Sequence, residues 1–163
     1  LIFMYKKGDY VVYKHDVCLI KDIKENKTNG VTYYVMNPID DYSLTAKIPI
    51  DNKTALLRNI ISSKEAKKII KQIAMISPVD EINEKNLEFK YKELLNVGDY
   101  ESLIKIIKTT YLRNEFKAHN KMRISDTDNT YFNLAEKYLY NELAISLNMT
   151  VDEVKEYIIR NVS

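Results

Sequence analysis

One cysteine, two histidines and three glycines are all that the 163-residue chain holds of these types, and it has no tryptophan. A lone Cys18 excludes an internal disulfide framework and suits a reducing compartment. It has no His or Asn context for nucleophilic work and reads as a small apolar strand residue. His15 and His119 fall in different predicted segments, and no His, Cys or acid cluster has zinc spacing. Asp40 and Asp41 are adjacent, so their side chains diverge in an extended loop and form no acid–base pair. Gly8, Gly30 and Gly98 are scattered and make no phosphate-cradling run. No apolar stretch approaches the roughly eighteen residues of a membrane span, and no signal-peptide pattern opens the chain. The expectation is a soluble, cytoplasmic, non-catalytic protein without cofactor or metal.

What is present is ordinary for a folded domain: 45% hydrophobic and 29% charged residues, with a net charge of +2. The chain is organised around residues 4–61. Gly8-Asp9 reads as a tight turn before the apolar run Tyr10-Val11-Val12-Tyr13. Val17-Cys18-Leu19-Ile20 with Ile23 forms a second run, and Thr32-Tyr33-Tyr34-Val35-Met36 a return strand. Asn29-Gly30 between them predicts a hairpin turn with positive φ at both central residues. Ala46-Lys47-Ile48-Pro49-Ile50 is a shorter strand whose proline puts it at an edge or a strand end. Asp51-Asn52-Lys53 is a further turn, and residues 56–61 lead out of the module. Four or five short strands predict a small, strongly bent sheet or barrel.

From Ser62 the period changes from two to 3.6. Ser62 and Glu65 have capping-box spacing, and Ala66, Ile69, Ile70, Ile73 and Ala74 repeat at helical intervals until Ser77-Pro78. A second helix is predicted over 83–96, with Leu87, Tyr91, Leu94 and Leu95 inward. Gly98 closes it and Asp99 caps a third, from Tyr100 to Lys117, with Leu103, Ile106, Ile107, Thr110 and Tyr111 buried. Residues 121–124 are ambiguous. Ser125 to Asp128 starts a fourth helix carrying Tyr131, Leu134, Ala135, Tyr138, Leu139, Glu142 and Leu143. Thr150 and Glu153 start a short last one with Val154, Tyr157 and Ile158 inward. The fold class is therefore α+β, a small β module over 4–61 followed by a bundle of about five helices over 62–163.

Charge is distributed unevenly. From Lys105 to Arg123 stand Lys105, Lys108, Arg113, Lys117, Lys121 and Arg123 against Glu115 alone, a local +5. From Ile124 onward three basic residues face seven acids, a local −4. Such asymmetry suits an oriented nucleic-acid contact; a solvated basic helix end is the plainer reading. The thirteen tyrosines fall mostly on strand or helix periods and read as core rather than as base-stacking platforms.

The order of the first module is similar to the CarD/CdnL family. It shows the Gly8-Asp9 turn, then Val11-Val12-Tyr13, a long hairpin with Gly30 at its tip and Lys47-Ile48-Pro49 farther on. The resemblance implies a Tudor-like barrel that binds the RNA polymerase β subunit, followed by a helical module that binds promoter DNA and stabilises the open promoter complex. It places Lys47, with Ile48 and Pro49, at the polymerase contact, and puts Asn26 and Lys27 where the family has a hairpin arginine. Lys keeps the charge of the family's Arg but not its bidentate fork. In the helical module the family's tryptophan wedge position falls near Glu84, and the basic positions near Asn86 and Phe89. Lys85, Lys90 and Lys92 remain to hold phosphates, and Phe89 or Tyr91 stands as the alternative wedge. With Lys105, Lys108, Arg113, Lys117, Lys121 and Arg123 these make the expected DNA-binding set. Two other readings stay open: a free-standing nucleic-acid-binding module, and a protein-interaction adaptor whose acidic last helices are the active surface. An accessory domain of the transcription-repair coupling factor shares the barrel but not the helical continuation.

Overall fold

The computed structural model describes residues 4–51, 57–80 and 83–162. Leu1–Phe3, the Asn52-Lys53 part of the expected turn, and Leu56 lie outside the described residues. The chain divides into two compact units, one ending at Ile61 and the other beginning at Ser62.

The first unit is one antiparallel sheet of β1 (Tyr10–Tyr13), β2 (Asp16–Asn26), β3 (Val31–Pro38), β4 (Ala46–Pro49) and β5 (Leu57–Asn59), in the order β4-β3-β2-β1-β5. Val11, Cys18, Ile20, Tyr34, Met36 and Ile48 pack together on one face, as alternation along each strand requires. β2 slips register between Ile20 and Asp22, leaving Lys21 as an extra residue that bends the sheet. The expected barrel is not closed. β4 and β5 stand at opposite edges and are four and three residues long, too short for the tilt and stagger that closure needs. β5, expected only as a lead-out, pairs with β1 through Val11↔Asn59, Val12↔Arg58 and Tyr13↔Leu57.

The hairpin between β2 and β3 also differs from expectation. Asn26 pairs with Val31, so the loop has four residues, Lys27 to Gly30, not two. Gly30 alone takes a positive φ, of 70°, and its N–H closes the loop on the Asn26 carbonyl at 2.8 Å. Asn29 contributes through its side chain, accepting from the Val31 N–H at 2.9 Å.

The second unit holds α1 (Ser63–Gln72), a 3₁₀ turn (Ile73–Met75), α2 (Glu84–Val97), α3 (Tyr100–His119), α4 (Asp126–Leu147) and α5 (Val151–Val162). Each helix starts on a side-chain cap: Ser62 to the Glu65 N–H, Asn83 to Lys85 and Asn86, Asp99 to Ser102, Ser125 to Asp128, Thr150 to Glu153. Gly98 at φ 66° ends α2 and lets α3 begin at once. Leu87, Tyr91, Leu103, Ile106, Tyr131, Ala135, Leu139, Leu143 and Val154 are buried, as periodicity predicts. Tyr111 is not. It lies about 140° around α3 from Ile106, stays 53% exposed and donates its hydroxyl to Glu115, while Ile104 is buried instead. Ala74 is likewise exposed, because α1 tightens into the 3₁₀ turn and the helical period stops there.

Candidate functional site

β4 is an edge strand, and its register decides what that edge offers. The Ile50 N–H donates to the Thr32 carbonyl at 3.0 Å, so hydrogen-bonded pairs alternate from there: Ile48 with Tyr34, and Ala46 with Met36. Lys47 and Pro49 are the intervening residues, and their main-chain groups point away from β3. Pro49 has no N–H to offer, which leaves Lys47 as the outward donor, with its carbonyl beside it. Ile48 faces the core, whereas Lys47 is exposed on the opposite face, across from Val35. Asn26 and Lys27 are exposed at the hairpin tip. Asn26 turns its side chain inward to accept from the Thr28 N–H at 2.9 Å. The tip lies four residues along β3 from the Val35–Lys47 pair, roughly 13 Å away along the strand, so these residues do not form one spot with Lys47.

In the helical unit some candidate basic residues are open to solvent and others are occupied inside the bundle. Lys85, Phe89 and Lys92 fall at i, i+4 and i+7 on α2, all exposed, with the Lys92 ammonium 5.9 Å from the Phe89 ring centre. Phe89 is 60% exposed, whereas Tyr91 is fully buried and cannot serve as a wedge. Lys90, Lys92 and Lys105 pair along their own helices with Glu93, Glu88 and Glu101, and Arg123, in the connection before α4, pairs with Asp126, all at 3.4–3.6 Å and open to solvent. Pairs of this kind hold little energy and open easily. Lys121 is exposed just past the end of α3, at φ 53°.

Lys108, Arg113 and Lys117 are occupied inside the bundle. The Lys108 ammonium donates to the carbonyls of Ile73 and Ile76 at 2.6 and 2.7 Å, satisfying the end of the 3₁₀ turn. Replacing Lys108 by Met should therefore destabilise the fold by about 2 kcal/mol in urea titrations, by stripping two carbonyls of a charged donor. It should leave nucleic-acid affinity unchanged.

Arg113 and Lys117 turn toward Asp128, a 1%-exposed carboxylate in the first turn of α4. The Arg113 Nε donates to its Oδ2 at 2.9 Å, Lys117 stands 4.0 Å from the same oxygen, and the Tyr91 hydroxyl donates to Oδ1 at 3.0 Å. Arg113 reaches on to Glu84 at the start of α2. Burial, with Asp128 adding to it, pushes the Tyr91 hydroxyl far above its ordinary range. The hydrogen bond from Arg113 holds the Glu84 carboxyl below its ordinary value of 4.5. A carboxyl lowered by folding adds stability that is complete above its unfolded value and fades as pH falls through the folded one. This cluster joins α2, α3 and α4, and the +5 stretch of sequence is thereby largely spent on the protein itself.

The free cations lie elsewhere. Lys64, Lys67, Lys68 and Lys71 of α1 are all exposed, and none has an ion-pair partner among the described residues. Their i, i+3, i+4, i+7 spacing is the same signal that reveals the apolar side of this helix, carried on its opposite side. Among the described residues no group of three His, Cys, Asp or Glu could hold a metal ion, and no helix is long and apolar enough to cross a membrane.

The first unit is thus an open-edged, five-stranded antiparallel sheet with an exposed lysine on its β4 edge. Residues 5–61 match the family model of the CarD-like/TRCF RID domain, so the first unit belongs to that family, the RNA polymerase-interacting type of domain. Such domains bind and regulate rather than catalyse. No curated protein matches the chain.

Proposed function

We propose that this protein is a transcription regulator that docks on the RNA polymerase β subunit through β4 and Lys47. Its helical unit then holds promoter DNA and stabilises the open complex. The observation that carries the reading is the free β4 edge within a matched polymerase-interacting domain: one outward N–H, two outward carbonyls and an exposed ammonium. Such an edge can add to a strand of a partner, with main-chain bonds for affinity and Lys47 for register. Tethering to polymerase gives weak DNA contacts a high effective concentration at the promoter. On α2 the exposed Phe89 between Lys85 and Lys92 has the composition of a minor-groove wedge, an apolar ring to prop an unstacked step and cations for the flanking phosphates. Contacts made only on melted DNA shift the equilibrium toward it.

The test is co-purification of the full chain with the isolated lobe of the β subunit, followed by promoter melting read from a fluorescent base analogue. Retention on the lobe is the expected result; its absence would sink the reading. Phe89→Ala should keep retention intact and shorten the open-complex lifetime by about tenfold, since a wedge offsets unstacking worth a few kcal/mol. An unchanged lifetime would remove Phe89 from that role.

A further inference from the structure

α1 is ten residues long, and its two sides differ completely. Ala66, Ile69 and Ile70 are buried against the bundle, where the helix packs on α4 and α5. The other side presents Lys64, Lys67, Lys68 and Lys71 in an arc of about 100°. Glu65 is the only acid in the helix and lies at the margin of that arc. α2, by comparison, carries three lysines and three glutamates, and α3 has committed most of its cations to Glu101, Asp128 and two carbonyls. The densest unpaired positive surface among the described residues is therefore on a helix that the charge distribution along the sequence does not single out.

We infer that the lysine stripe of α1 is a second DNA-backbone contact, separate from the α2 face and taking phosphates of duplex DNA without regard to sequence. This deepens the DNA-binding part of the proposed function and rests on it. Three features select the partner. The stripe spans about 10 Å along the helix axis, on the order of three phosphates of one strand. It is built of lysines, point charges that suit phosphate oxygens, with no arginine fork to fix a carboxylate. A membrane surface is disfavoured, because lying in the interface would require the apolar side of α1, which the bundle already covers. Lysines with no protein partner give up no ion pair when they bind, so each phosphate engaged releases counterions at full effect.

The experiment measures anisotropy of a labelled duplex against the full-length chain over a range of salt, starting at low ionic strength. Three proteins are compared: wild type, the quadruple variant Lys64→Gln, Lys67→Gln, Lys68→Gln and Lys71→Gln, and the double variant Lys85→Gln, Phe89→Ala. Glutamine keeps helix propensity, and circular dichroism checks that each variant is folded. The slope of log K against log salt should become shallower in the quadruple variant by about 0.9 for every phosphate that is no longer neutralised, about 2.7 for three. A quadruple variant with wild-type affinity and slope, beside a weakened double variant, would overturn the inference and leave the α2 contact standing. No duplex binding by the wild type would overturn both. A poly-glutamate peptide bound as tightly as the duplex, with that binding abolished in the quadruple variant, would reassign the stripe to an acidic protein segment.

Discussion

Replacing Asp128 by Ala should cost the helical unit about 3 kcal/mol, read as a lower urea midpoint at unchanged slope and a melting temperature lower by at least about 12 °C. The substitution removes the carboxylate that Arg113, Lys117 and the Tyr91 hydroxyl share, and leaves Arg113 with Glu84 alone. Breaking a buried ion pair costs roughly 3–5 kcal/mol because the surviving partner stays buried without compensation. The lower end applies here: the Arg113 and Lys117 side chains keep 22% and 15% of their exposure, so water can reach them. Tyr91 has no such recourse, and its hydroxyl is left buried without an acceptor. Asp128→Asn isolates the charge, since the amide oxygen can still accept from Tyr91. Adding Lys117→Met to Asp128→Ala should recover part of the loss, because Lys117 pairs with Asp128 alone whereas Arg113 keeps Glu84. A loss below about 1 kcal/mol in Asp128→Ala would show that the cluster does not hold the three helices together.

The Asp128 cluster also marks the limit of what the sequence discloses. Helix starts are legible because their causes are local: Ser62, Asp99, Ser125 and Thr150 each cap an amide within three residues. The β4 edge is legible through Pro49, which cannot donate to a ladder. β5 is not, because three residues are too few to show alternation. In the sequence Asp128 is one of several acids in a helix-start signal, while its partner Tyr91 lies thirty-seven residues away and reads as core or as an alternative wedge. Periodicity reports which side of a helix is buried but not which polar groups meet there. The same gap misdirects the reading of charge. Counting signs over residues 105–123 marks a basic surface, yet Lys108, Arg113 and Lys117 have internal partners that only the folded bundle supplies. The α1 lysines stand in plain helical spacing, but a count of charge along the chain does not distinguish a cation with a partner from one without.

Substitutions at Lys47 should separate the two ways in which the β4 edge can bind. Lys47→Glu is expected to weaken binding to the β-subunit lobe by about 100-fold or more, close to 2.7 kcal/mol, because reversal places like charges together at the contact. Lys47→Met keeps the side-chain stem and the outward N–H and removes only the charge, so a milder loss is expected. Lys47→Pro removes the N–H that faces away from β3. The ladder within the sheet does not use that donor, so the unit should stay folded, as Pro49 does at the equivalent register position. If the partner adds a strand, Lys47→Pro should cost about tenfold, one main-chain bond at an interface that excludes water. If the charge alone carries the contact, Lys47→Pro should fall no further than Lys47→Met. Binding by Lys47→Glu equal to wild type would place the docking surface elsewhere on the sheet. The ranking of the three variants thus reports which atoms of β4 meet the polymerase, and each protein can first be shown folded by its own thermal transition.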